Sequence, residues 1–324
     1  MVKNALELEQ SLTREVSRVI VGKAAKLRLI TAALLAEGHI LLEDLPGVGK
    51  TTLVKCLAAA LGCESKRVQF TPDLLPSDVT GMNVFDRRTG EFRRLQGPVV
   101  TNLLLADELN RAIPRTQSAL LEAMEERQVT LDGETERLPA PFFVLATQNP
   151  VETESTFRLP AAQMDRFLMC LSMGYPTPGE ELTMLRLVGD DIPFEAIQAI
   201  TTPEDLVRMQ REVADVFVSD DVASYIVALA DSTRHCPDLR LGASPRATRA
   251  LYRASKALAA VSGRAFVTPD DVQELAEPVL CHRFVLSADA AIAGRTAADI
   301  LAGLLAALPV PPAREALFER NDGR

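Results

Sequence analysis

The sequence predicts an α/β fold in which a parallel β-sheet, covered by helices on both faces, is followed by an all-helical domain. Three observations support this fold class. In about the first half of the chain, apolar segments of strand length alternate with amphipathic segments of helical length. The strand segments are apolar almost throughout, which is typical of strands that helices cover on both faces. Beyond residue 175 the pattern is helical, and no strand is predicted there.

The elements of the first domain are predicted in the following order. An amphipathic helix covers about residues 24–37, the strand HILLED follows, and a further helix begins after Thr51. The strand RVQF comes next, and then the strands VVTNLLLAD, which ends at Asp107, and PFFVLATQN, which ends at Asn149. A helix at about residues 117–126 separates these last two strands. Because helices join the strands, we expect the strands to run parallel and to end at the same edge of the sheet.

A turn-rich segment, YPTPGEE, begins at Tyr175 and marks the domain boundary. We therefore assign residues 1–174 to the α/β domain and residues 175–324 to the helical domain. Two helix starts in the second domain share one pattern, in which a Thr cap precedes Pro and acidic residues. These are TPEDL at residues 202–206 and TPDDV at residues 268–272.

Two segments carry the signals of β-hairpins. The first is an insertion at residues 80–100, in which a turn at residues 88–90 separates two short strand segments. The second is QVTLDGETERLPAPF, with Asp132 and Gly133 at its tip. The first hairpin is basic, since it carries Arg87, Arg88, Arg93 and Arg94.

Composition and charge narrow the class of protein. The 324 residues are 47% hydrophobic, which is enough for one large domain or two moderate ones. The net charge of −9 argues against a surface built mainly to coat nucleic acid. The N-terminal segment lacks the uninterrupted apolar core of a signal peptide, and the apolar run at residues 300–309 is too short to cross a bilayer. We therefore expect a cytoplasmic protein without a membrane span. Five widely spaced cysteines without a C-x-x-C pair predict neither a zinc ribbon nor a disulfide framework: Cys56, Cys63, Cys170, Cys236 and Cys281.

The segment LLEDLPGVGKTTL has the strand, loop and helix arrangement of a phosphate-binding loop. Gly47 and Gly49 let backbone N–H groups turn toward an anion, and the start of the next helix adds unpaired donors. Lys50 is predicted to contact the β and γ phosphates of ATP, and Thr51 to ligate Mg²⁺. Asp44 stands where the strict pattern G-x-x-x-x-G-K-[ST] has its first glycine, and a glycine-rich turn with a surface lysine is the alternative for this loop alone. The predicted ATP-binding residues of the segment are Pro46, Gly47, Val48, Gly49, Lys50, Thr51 and Thr52.

Two carboxylates and an amide stand at the ends of two strands of the predicted sheet. Asp107 and Glu108 stand at the end of the strand in NLLLADELNR, and Asn149 at the end of the strand in FFVLATQNP. Because parallel strands end at one edge, we expect these side chains to face the phosphate-binding loop. Asp107 would hold Mg²⁺ through water, Glu108 would orient or deprotonate the attacking water, and Asn149 would position that water. From the residues alone, the alternatives are a solvated acidic pair and a simple Asn-Pro turn.

Together these segments resemble the MoxR family of AAA+ ATPases over nearly the whole chain. The matching segments are VIVGK, LLEDLPGVGKTTL, RVQFTPDLLPSDVTG, LLLADELNRAIPRTQSALLEAMEERQVT, FFVLATQNP, LPAAQMDRF, LGASPRATRAL and FVTPDDVQELAEPVLCHR. The resemblance implies a P-loop AAA+ core, with a parallel five-stranded sheet and β-hairpin insertions, followed by an all-α lid. In this clade the first hairpin interrupts the second helix and projects toward the pore of a ring. A solvated edge ribbon is the alternative for that hairpin.

The resemblance also implies roles for individual residues. Val21 and Gly22 match the adenine-side segment of the family, and Asn149 matches its first sensor. Arg166 in MDRF matches the arginine finger, which acts on the ATP of a neighbouring subunit, and Arg246 in ASPR matches the second sensor on the lid. The implied ligands are ATP and Mg²⁺, and the implied catalytic residues are Glu108, Asn149, Arg166 and Arg246. Two further arginines are secondary candidates for reaching across a subunit interface: Arg111 and Arg115.

The function that the resemblance implies is ATP-driven, chaperone-like remodelling or maturation of a partner protein by a homo-oligomer, typically a hexameric ring. Proteins with von Willebrand factor A domains are the partners that it suggests. Three alternatives stay open. They are a magnesium-chelatase-like motor subunit, a nucleotide-gated scaffold that does not hydrolyse ATP, and a nucleic-acid translocase, which the acidic charge disfavours.

Overall fold

The five-stranded parallel sheet predicted for the first half of the chain is present in the structure, which is a computed structural model. The structure describes residues 2–44, 47, 49–149, 156–187 and 197–312. Up to residue 174 its elements are, in chain order, α1 (Ala5–Val16), α2 (Ala24–Leu35), β1 (Ile40–Glu43), α3 (Lys50–Leu61), β2 (Ser65–Gln69), α4 (Pro76–Thr80), β3 (Gly81–Asp86), β4 (Glu91–Gln96), β5 (Leu103–Asp107), α5 (Pro114–Glu126), β6 (Gln128–Leu131), β7 (Glu134–Arg137), β8 (Phe143–Gln148), α6 (Ala161–Met164) and β9 (Met169–Leu171).

The strand order of the sheet is β2-β5-β8-β1-β9, and each pair of neighbouring strands is parallel. This order leaves the carboxyl ends of β5, β8 and β1 side by side. β8 ends at Gln148, one residue before the predicted end of that strand at Asn149. Residues that follow these three strands are therefore gathered at one edge of the sheet, where ligands of open α/β folds bind.

The sheet separates two hydrophobic clusters. Alternate residues of a strand enter opposite clusters, so that in β1 Ile40 and Leu42 lie in one cluster and Leu41 lies in the other. The first cluster contains apolar side chains of α1, α2, α3 and the helices after residue 197, and the second contains those of α5. Burial on both faces explains why these strands are apolar almost throughout. The first cluster also joins the two predicted domains through one continuous core.

The chain after residue 174 is mostly helical. Its elements are α7 (Pro178–Leu187), α8 (Pro203–Ala214), α9 (Asp220–Arg234), β10 (Leu239–Leu241), α10 (Pro245–Val261), α11 (Pro269–Leu280), β11 (Val285–Leu286), α12 (Ala288–Ile292) and α13 (Ala297–Ala307). The predicted helix starts are confirmed, since Thr202 and Thr268 stand at the N-caps of α8 and α11. In the part of the chain that the structure describes, no helix is both long and apolar enough to cross a membrane.

The prediction that this second part contains no strand is wrong. β10 pairs antiparallel with β11, with Leu239 opposite Leu286 and Leu241 opposite Val285. Each of the two strands has only two or three residues, and the partner of each is distant in the chain. No local alternation of apolar and polar residues can indicate so short a pairing, so the sequence pattern misses it.

Both predicted hairpins are confirmed. β3 pairs with β4 and β6 pairs with β7, and the two hairpins contact each other. Asn83 Nδ2 donates to Asp132 Oδ2 at 2.8 Å, and Arg94 forms an ion pair with Glu136 at 3.1 Å. The helix α4 leads into the first hairpin, and no helix resumes directly after it. The segment between the hairpin and β5, residues 97–102, consists of turns and bends. A Cβ at Gly97 would lie 2.2 Å from the carbonyl oxygen of Val79, so the chain leaves the hairpin in close backbone contact with α4.

His39, immediately before β1, is held neutral inside the first domain. Its Nδ1 accepts a hydrogen bond from the N–H of Val144 at 3.1 Å, so Nε2 carries the proton and donates to the carbonyl oxygen of Met124 at 3.1 Å. Burial is the main cause that lowers the pKa of His39 to about 4. The hydrogen bond to Met124 acts against this shift, while Arg127 and Arg253 add to it.

We expect the protein to lose stability as the pH falls from about 6.5 toward 4, because His39 takes up a proton there in the unfolded chain and not in the folded one. The contribution of this residue is about 1.4 kcal/mol per pH unit within that window. A His39→Gln variant should show a smaller difference in unfolding free energy between pH values of about 7.5 and about 5.5, measured by urea denaturation. Equal differences in the wild type and His39→Gln would contradict a buried neutral histidine.

Candidate functional site

The predicted phosphate-binding loop connects the carboxyl end of β1 to α3. Gly47 and Gly49 have φ angles of 83° and 81°, in the left-handed region that favours glycine. Gly49 is the N-cap of α3, and no described side chain caps the helix there. The N–H groups of the first turn of α3 therefore offer donors to an anion, which fits the phosphates of ATP.

The side chains at the start of α3 lie at the base of this loop. Lys50 Nζ donates a hydrogen bond to the carbonyl oxygen of Asp44 at 3.2 Å. Thr51 and Thr52 follow in the first turn and are half-buried. The structure thus brings the predicted lysine and both threonines to the carboxyl edge of the sheet. Two other predicted contacts of this loop, Pro46 and Val48, lie outside the described residues.

Asp44, which stands in place of the expected first glycine, has a structural partner of its own. Its side chain is 5% exposed, and its carboxylate accepts three hydrogen bonds from the segment that follows β9. Ser172 Oγ donates at 2.8 Å, and the backbone N–H groups of Met173 and Gly174 donate at 2.8 and 3.0 Å. Glycine could not make these contacts. The departure from the strict pattern therefore fixes the start of the phosphate-binding loop to the end of β9.

We expect Asp44→Ala to lower the free energy of unfolding by about 3 kcal/mol, because the change leaves three donors near a buried position without their acceptor. Asp44→Asn should cost less, since one acceptor oxygen remains. Urea denaturation measures both changes, and Asp215→Ala, at an exposed position, is a control for the loss of one negative charge. A loss in Asp44→Ala no larger than that in Asp215→Ala would contradict this role of Asp44.

The two carboxylates at the end of β5 are held by Thr147 of the neighbouring strand β8. Thr147 Oγ1 donates to Asp107 Oδ1 at 2.7 Å and accepts the backbone N–H of Glu108 at 2.8 Å. Glu108 has a φ of 56°, a conformation that a non-glycine residue keeps only where its surroundings enforce it. Asp107 and Glu108 are thus brought together at the predicted edge of the sheet, between the ends of β2 and β8.

Strand β2 and the helical turn that follows β5 supply further partners to the same carboxylates. Arg67 forms an ion pair with Asp107, with Nη2 at 2.7 Å from Oδ2. Gln69 Nε2 donates to Glu108 Oε2 at 2.7 Å, and Arg111 Nη1 donates to the same oxygen at 3.1 Å. Asp107 therefore accommodates a cationic group in this structure. A carboxylate and the Thr51 hydroxyl are oxygen ligands of the kind that Mg²⁺ prefers, so the residues present fit this ion.

Gln148 ends β8 and Asn149 follows it, and β8 lies between β5 and β1. Asn149 is half-buried, and its backbone carbonyl accepts a hydrogen bond from Asn110 Nδ2 at 3.5 Å. Gln148 Nε2 donates to Glu43 at the end of β1. The strand order therefore places Asn149 between the carboxylate pair and the phosphate-binding loop, at the sheet edge where the sequence predicts it.

The predicted adenine-side segment lies against the start of α7. Gly22 has a φ of 75°, and a Cβ at this residue would lie 1.7 Å from a carboxylate oxygen of Glu180. Val21 directly precedes Gly22 in the chain. Lys23 directly follows it, and its Nζ donates hydrogen bonds to the carbonyl oxygens of Gly174 and Tyr175 at 3.4 and 3.3 Å. The segment therefore contacts the chain where the predicted second domain begins.

The two arginines implied by the resemblance meet at a single carboxylate. Arg166 Nε lies 3.2 Å from Glu125 Oε2, and Arg246 Nη2 contacts the other oxygen of Glu125. Arg166 precedes β9, Glu125 is near the end of α5, and Arg246 is in the first turn of α10. One glutamate thus holds together an arginine of the α/β domain and an arginine of the helical part.

This arginine pair lies at the edge of the sheet opposite the phosphate-binding loop. His39, directly before β1, contacts residues close to Arg166 and Glu125 in the chain. Its carbonyl oxygen accepts the N–H of Leu168 at 2.8 Å, and its ring donates to the carbonyl oxygen of Met124. The phosphate-binding loop starts after the other end of β1. The four residues of β1 span about 13 Å at a rise of about 3.3 Å per residue. The structure therefore does not bring Arg166 and Arg246 to the loop of their own chain.

The residue before Arg166 is bound to the helical part through a buried junction. Ser244, the N-cap of α10, donates to Asp165 Oδ2 at 2.8 Å, and Arg283 Nε lies 3.2 Å from Asp165 Oδ1. Arg283 is 4% exposed. Burial lowers the pKa of Arg283 to about 10, and the Asp165 carboxylate beside it acts in the opposite direction. The residue next to Arg166 is therefore joined directly to the start of α10.

The secondary arginine candidates occupy different places. Arg111 contacts Glu108 of its own chain at 3.1 Å, beside the carboxylate pair. Arg115 is exposed in the first turn of α5.

Several residues of the site were missed by reasoning from the sequence. Thr147 and Gln69 stand at the ends of predicted strands, so their position at the carboxyl edge was a signal that could have identified them. Arg67 lies in the middle of β2, two residues before Gln69, so its position in the strand gives no such signal. Glu125 and Asp165 carry no local signal, because their partners are distant in the chain.

Comparison with known proteins gives consistent similarities. The ATPase family associated with various cellular activities (AAA) matches residues 39–169, and an AAA lid domain matches residues 231–304. The Bacillus subtilis protein YeaC, described as uncharacterized, is 50% identical over 302 residues, which are 93% of this chain and 94% of YeaC. Chaperone MoxR1 of Mycobacterium tuberculosis is 44% identical over 285 residues, 85% of this chain and 75% of MoxR1. The crystal structure of a proposed ATPase from Cytophaga hutchinsonii is similar with a TM-score of 0.88 at 36% identity, covering 95% of this chain and 97% of that one.

Proposed function

Because the chain belongs to the MoxR family of AAA+ ATPases, we propose that it hydrolyses ATP to ADP and phosphate and thereby remodels or matures a partner protein in a chaperone-like manner. One observation carries the proposal. Thr147 holds Asp107 and Glu108 together at the sheet edge where the glycine-containing loop enters α3. This is the arrangement that in-line attack of water on a bound γ-phosphate requires.

The residues at the carboxyl edge of the sheet have different proposed roles in ATP hydrolysis. The N–H groups at the start of α3 and the Lys50 ammonium bind the phosphates, while Val21 and Gly22 contact the adenine side. Thr51 and Asp107 would hold Mg²⁺, which when bound neutralises phosphate charge. Glu108 accepts a proton from the attacking water, and Asn149 orients that water. Thr52, in the first turn of α3, and the sequence-predicted Pro46 and Val48 are the remaining proposed ATP contacts.

A complete site requires a second copy of the chain. Arg166 and Arg246 lie at the sheet edge away from their own loop, joined by Glu125. A cation directed at the γ-phosphate stabilises the charge that develops during transfer. We propose that both arginines serve the ATP of the neighbouring subunit, which makes a closed ring, hexameric in our proposal, the active form.

The first hairpin is the proposed contact with the partner protein. Phe85 and Phe92 form an edge-to-face pair with ring centroids 5.3 Å apart, and they are 49% and 74% exposed. Arg87, Arg88 and Arg93 of this hairpin form no ion pair with any described residue. Exposed aromatic rings beside arginines are typical of residues that dominate protein interfaces. The proposed partner is a protein with a von Willebrand factor A domain.

We expect the double change of Phe85 and Phe92 to Ser to weaken binding of such a partner by about thirtyfold, because the two rings would lose their burial at the interface. Titration of the purified protein with a von Willebrand factor A domain protein from the same genome, followed by calorimetry, measures the affinity. Val227→Ser is the matched control, since Val227 is 54% exposed on α9, away from the hairpins. Equal affinities of the double variant and the control would argue for a solvated edge ribbon.

Phosphate release from MgATP by the purified protein tests the activity itself. We expect steady release that Lys50→Ala abolishes. A protein that binds ATP and assembles without releasing phosphate would be a nucleotide-gated scaffold. Stimulation by porphyrin would favour a magnesium-chelatase-like motor, and salt-sensitive stimulation by DNA would favour a translocase.

A further inference from the structure

One buried arginine of the helical part holds the residues on both sides of Arg166. Arg283 is the last residue of the turn Cys281–Arg283, which follows α11. Its Nη2 donates to the carbonyl oxygen of Phe167 at 2.5 Å and lies 3.5 Å from the carbonyl oxygen of Asp165. Its Nε lies 3.2 Å from the Asp165 carboxylate. A single guanidinium group therefore contacts the residue before and the residue after the proposed arginine finger.

The short segment that carries Arg166 needs such contacts to keep its direction. The helix before it, α6, has only four residues, and so short a helix is not stable by itself. The backbone N–H groups of Arg166 and Phe167 donate within this turn, to the carbonyl oxygens of Gln163 and Met164 at 3.2 and 3.1 Å. The carbonyl oxygen of Phe167 instead accepts from Arg283, in the helical part. The segment is thus fixed from outside as well as by its own turn.

Both partners in this contact are themselves held in place. The ring of Phe167 is fully buried in the second hydrophobic cluster, and Arg283 is buried as well. His282 Nε2 also donates to the Phe167 carbonyl oxygen, at 3.3 Å. The planar guanidinium group presents its donors in fixed directions, which lets it hold the Asp165 carboxylate and the Phe167 carbonyl at the same time. The backbone through Arg166 therefore has a fixed direction relative to the helical part.

We propose that Arg283 is a positioning residue for Arg166, which fixes the backbone on both sides of Arg166 so that its side chain meets the γ-phosphate bound by the neighbouring subunit. A displacement of about 1 Å in a group that acts on the reaction can lower the rate about a hundredfold. Loss of Arg283 therefore slows hydrolysis at the neighbouring site. It spares the phosphate-binding loop of the same chain, which lies at the opposite edge of the sheet. This inference rests on the proposed ATPase function and on the action of Arg166 in trans.

A double variant tests the proposal without leaving a buried charge unpaired. Removal of Arg283 alone would leave the Asp165 carboxylate without its counterion, which destabilises a fold. Arg283→Met combined with Asp165→Asn removes both charges and keeps an oxygen for the hydroxyl of Ser244. We expect its turnover number for phosphate release to be about ten- to hundredfold below that of the wild type, with unchanged ATP affinity.

The matched control removes another buried pair of the same kind. Arg264 pairs with Asp271 at the start of α11, whereas Arg283 follows the end of that helix. Arg264→Met combined with Asp271→Asn should keep the turnover number of the wild type. Equal turnover numbers in the two double variants would overturn the proposal.

The conservative variant Arg283→Lys tests the bridge itself. An ammonium group keeps the charge beside Asp165 but cannot hold the carboxylate and the Phe167 carbonyl in the fixed geometry of a guanidinium group. We expect its turnover number to lie between those of the wild type and the double variant. A turnover number equal to that of the wild type would show that the charge suffices, and it would overturn the bridging role of Arg283.

Mixing of subunits separates the positioning of Arg166 from damage to the variant's own site. Subunits with Lys50→Ala carry an intact Arg166 and Arg283, so an equal mixture with the double variant should regain about a quarter of the wild-type turnover. An equal mixture of the double variant with Arg166→Ala should not recover, because every interface lacks a correctly held Arg166. The opposite result in either mixture would overturn the proposal. If Arg166→Ala itself did not recover with Lys50→Ala, or the wild type released no phosphate, the proposed function would be contradicted instead.

Discussion

Replacement of Glu108 by Gln is expected to lower the turnover number for ATP hydrolysis by about two to four orders of magnitude, because an amide cannot accept a proton from the attacking water. The fold around the residue should persist. The amide oxygen can still accept the hydrogen bonds that Gln69 and Arg111 donate to Glu108, and the backbone N–H bond to Thr147 does not involve the side chain. ATP affinity should therefore stay close to that of the wild type.

Single-turnover phosphate release and equilibrium binding of ATP measure the two effects separately. Glu122→Gln is the control, since Glu122 is exposed on α5 and the change removes the same charge. Turnover in Glu108→Gln equal to that in Glu122→Gln would remove Glu108 from its assigned role. A parallel loss of ATP affinity would show instead that the carboxylate maintains the binding site.

Local sequence patterns predicted the parts of the site that depend on local structure. The glycine-containing loop, the carboxylates at the end of β5 and both hairpins follow from strand and turn signals within a few residues. The start of a helix as an anion site follows from the unpaired N–H groups of any first turn. These features needed no knowledge of which distant segments pack together.

Contacts between distant segments explain what the sequence patterns could not predict. Asp44 stood as an exception to the loop pattern until its carboxylate was seen to bind Ser172, Met173 and Gly174, which are far along the chain. The pairing of β10 with β11 also joins segments that are far apart in the chain, so local patterns could not predict it. Arg166 and Arg246 were assigned only through a resemblance, and the sequence held no sign that Glu125 would bring them together.

The position of this arginine pair predicts that Arg166→Ala and Arg246→Ala each have almost no ATPase activity alone. Each should regain activity when it is mixed with Lys50→Ala. An arginine that stabilises a transferring phosphoryl group contributes about a thousandfold or more to turnover. Arg166→Ala should lose about that factor. When Arg166→Ala is mixed in equal amounts with Lys50→Ala, about a quarter of the interfaces combine an intact loop with an intact arginine pair, so turnover should return to about that share. Arg246→Ala mixed with Lys50→Ala should behave in the same way.

Mixing Arg166→Ala with Arg246→Ala distinguishes the two possible places of action of Arg246. If both arginines of one subunit serve the neighbouring ATP, every interface in the mixture lacks one of them, and turnover stays low. If Arg246 served the ATP of its own chain, a subunit with intact Arg246 would receive an intact Arg166 from its neighbour, and turnover would recover. We expect no recovery, because Glu125 holds the two side chains together at the edge opposite their own loop. Phosphate release after mixing and reassembly gives the answer, and size-exclusion chromatography must show that each variant assembles like the wild type.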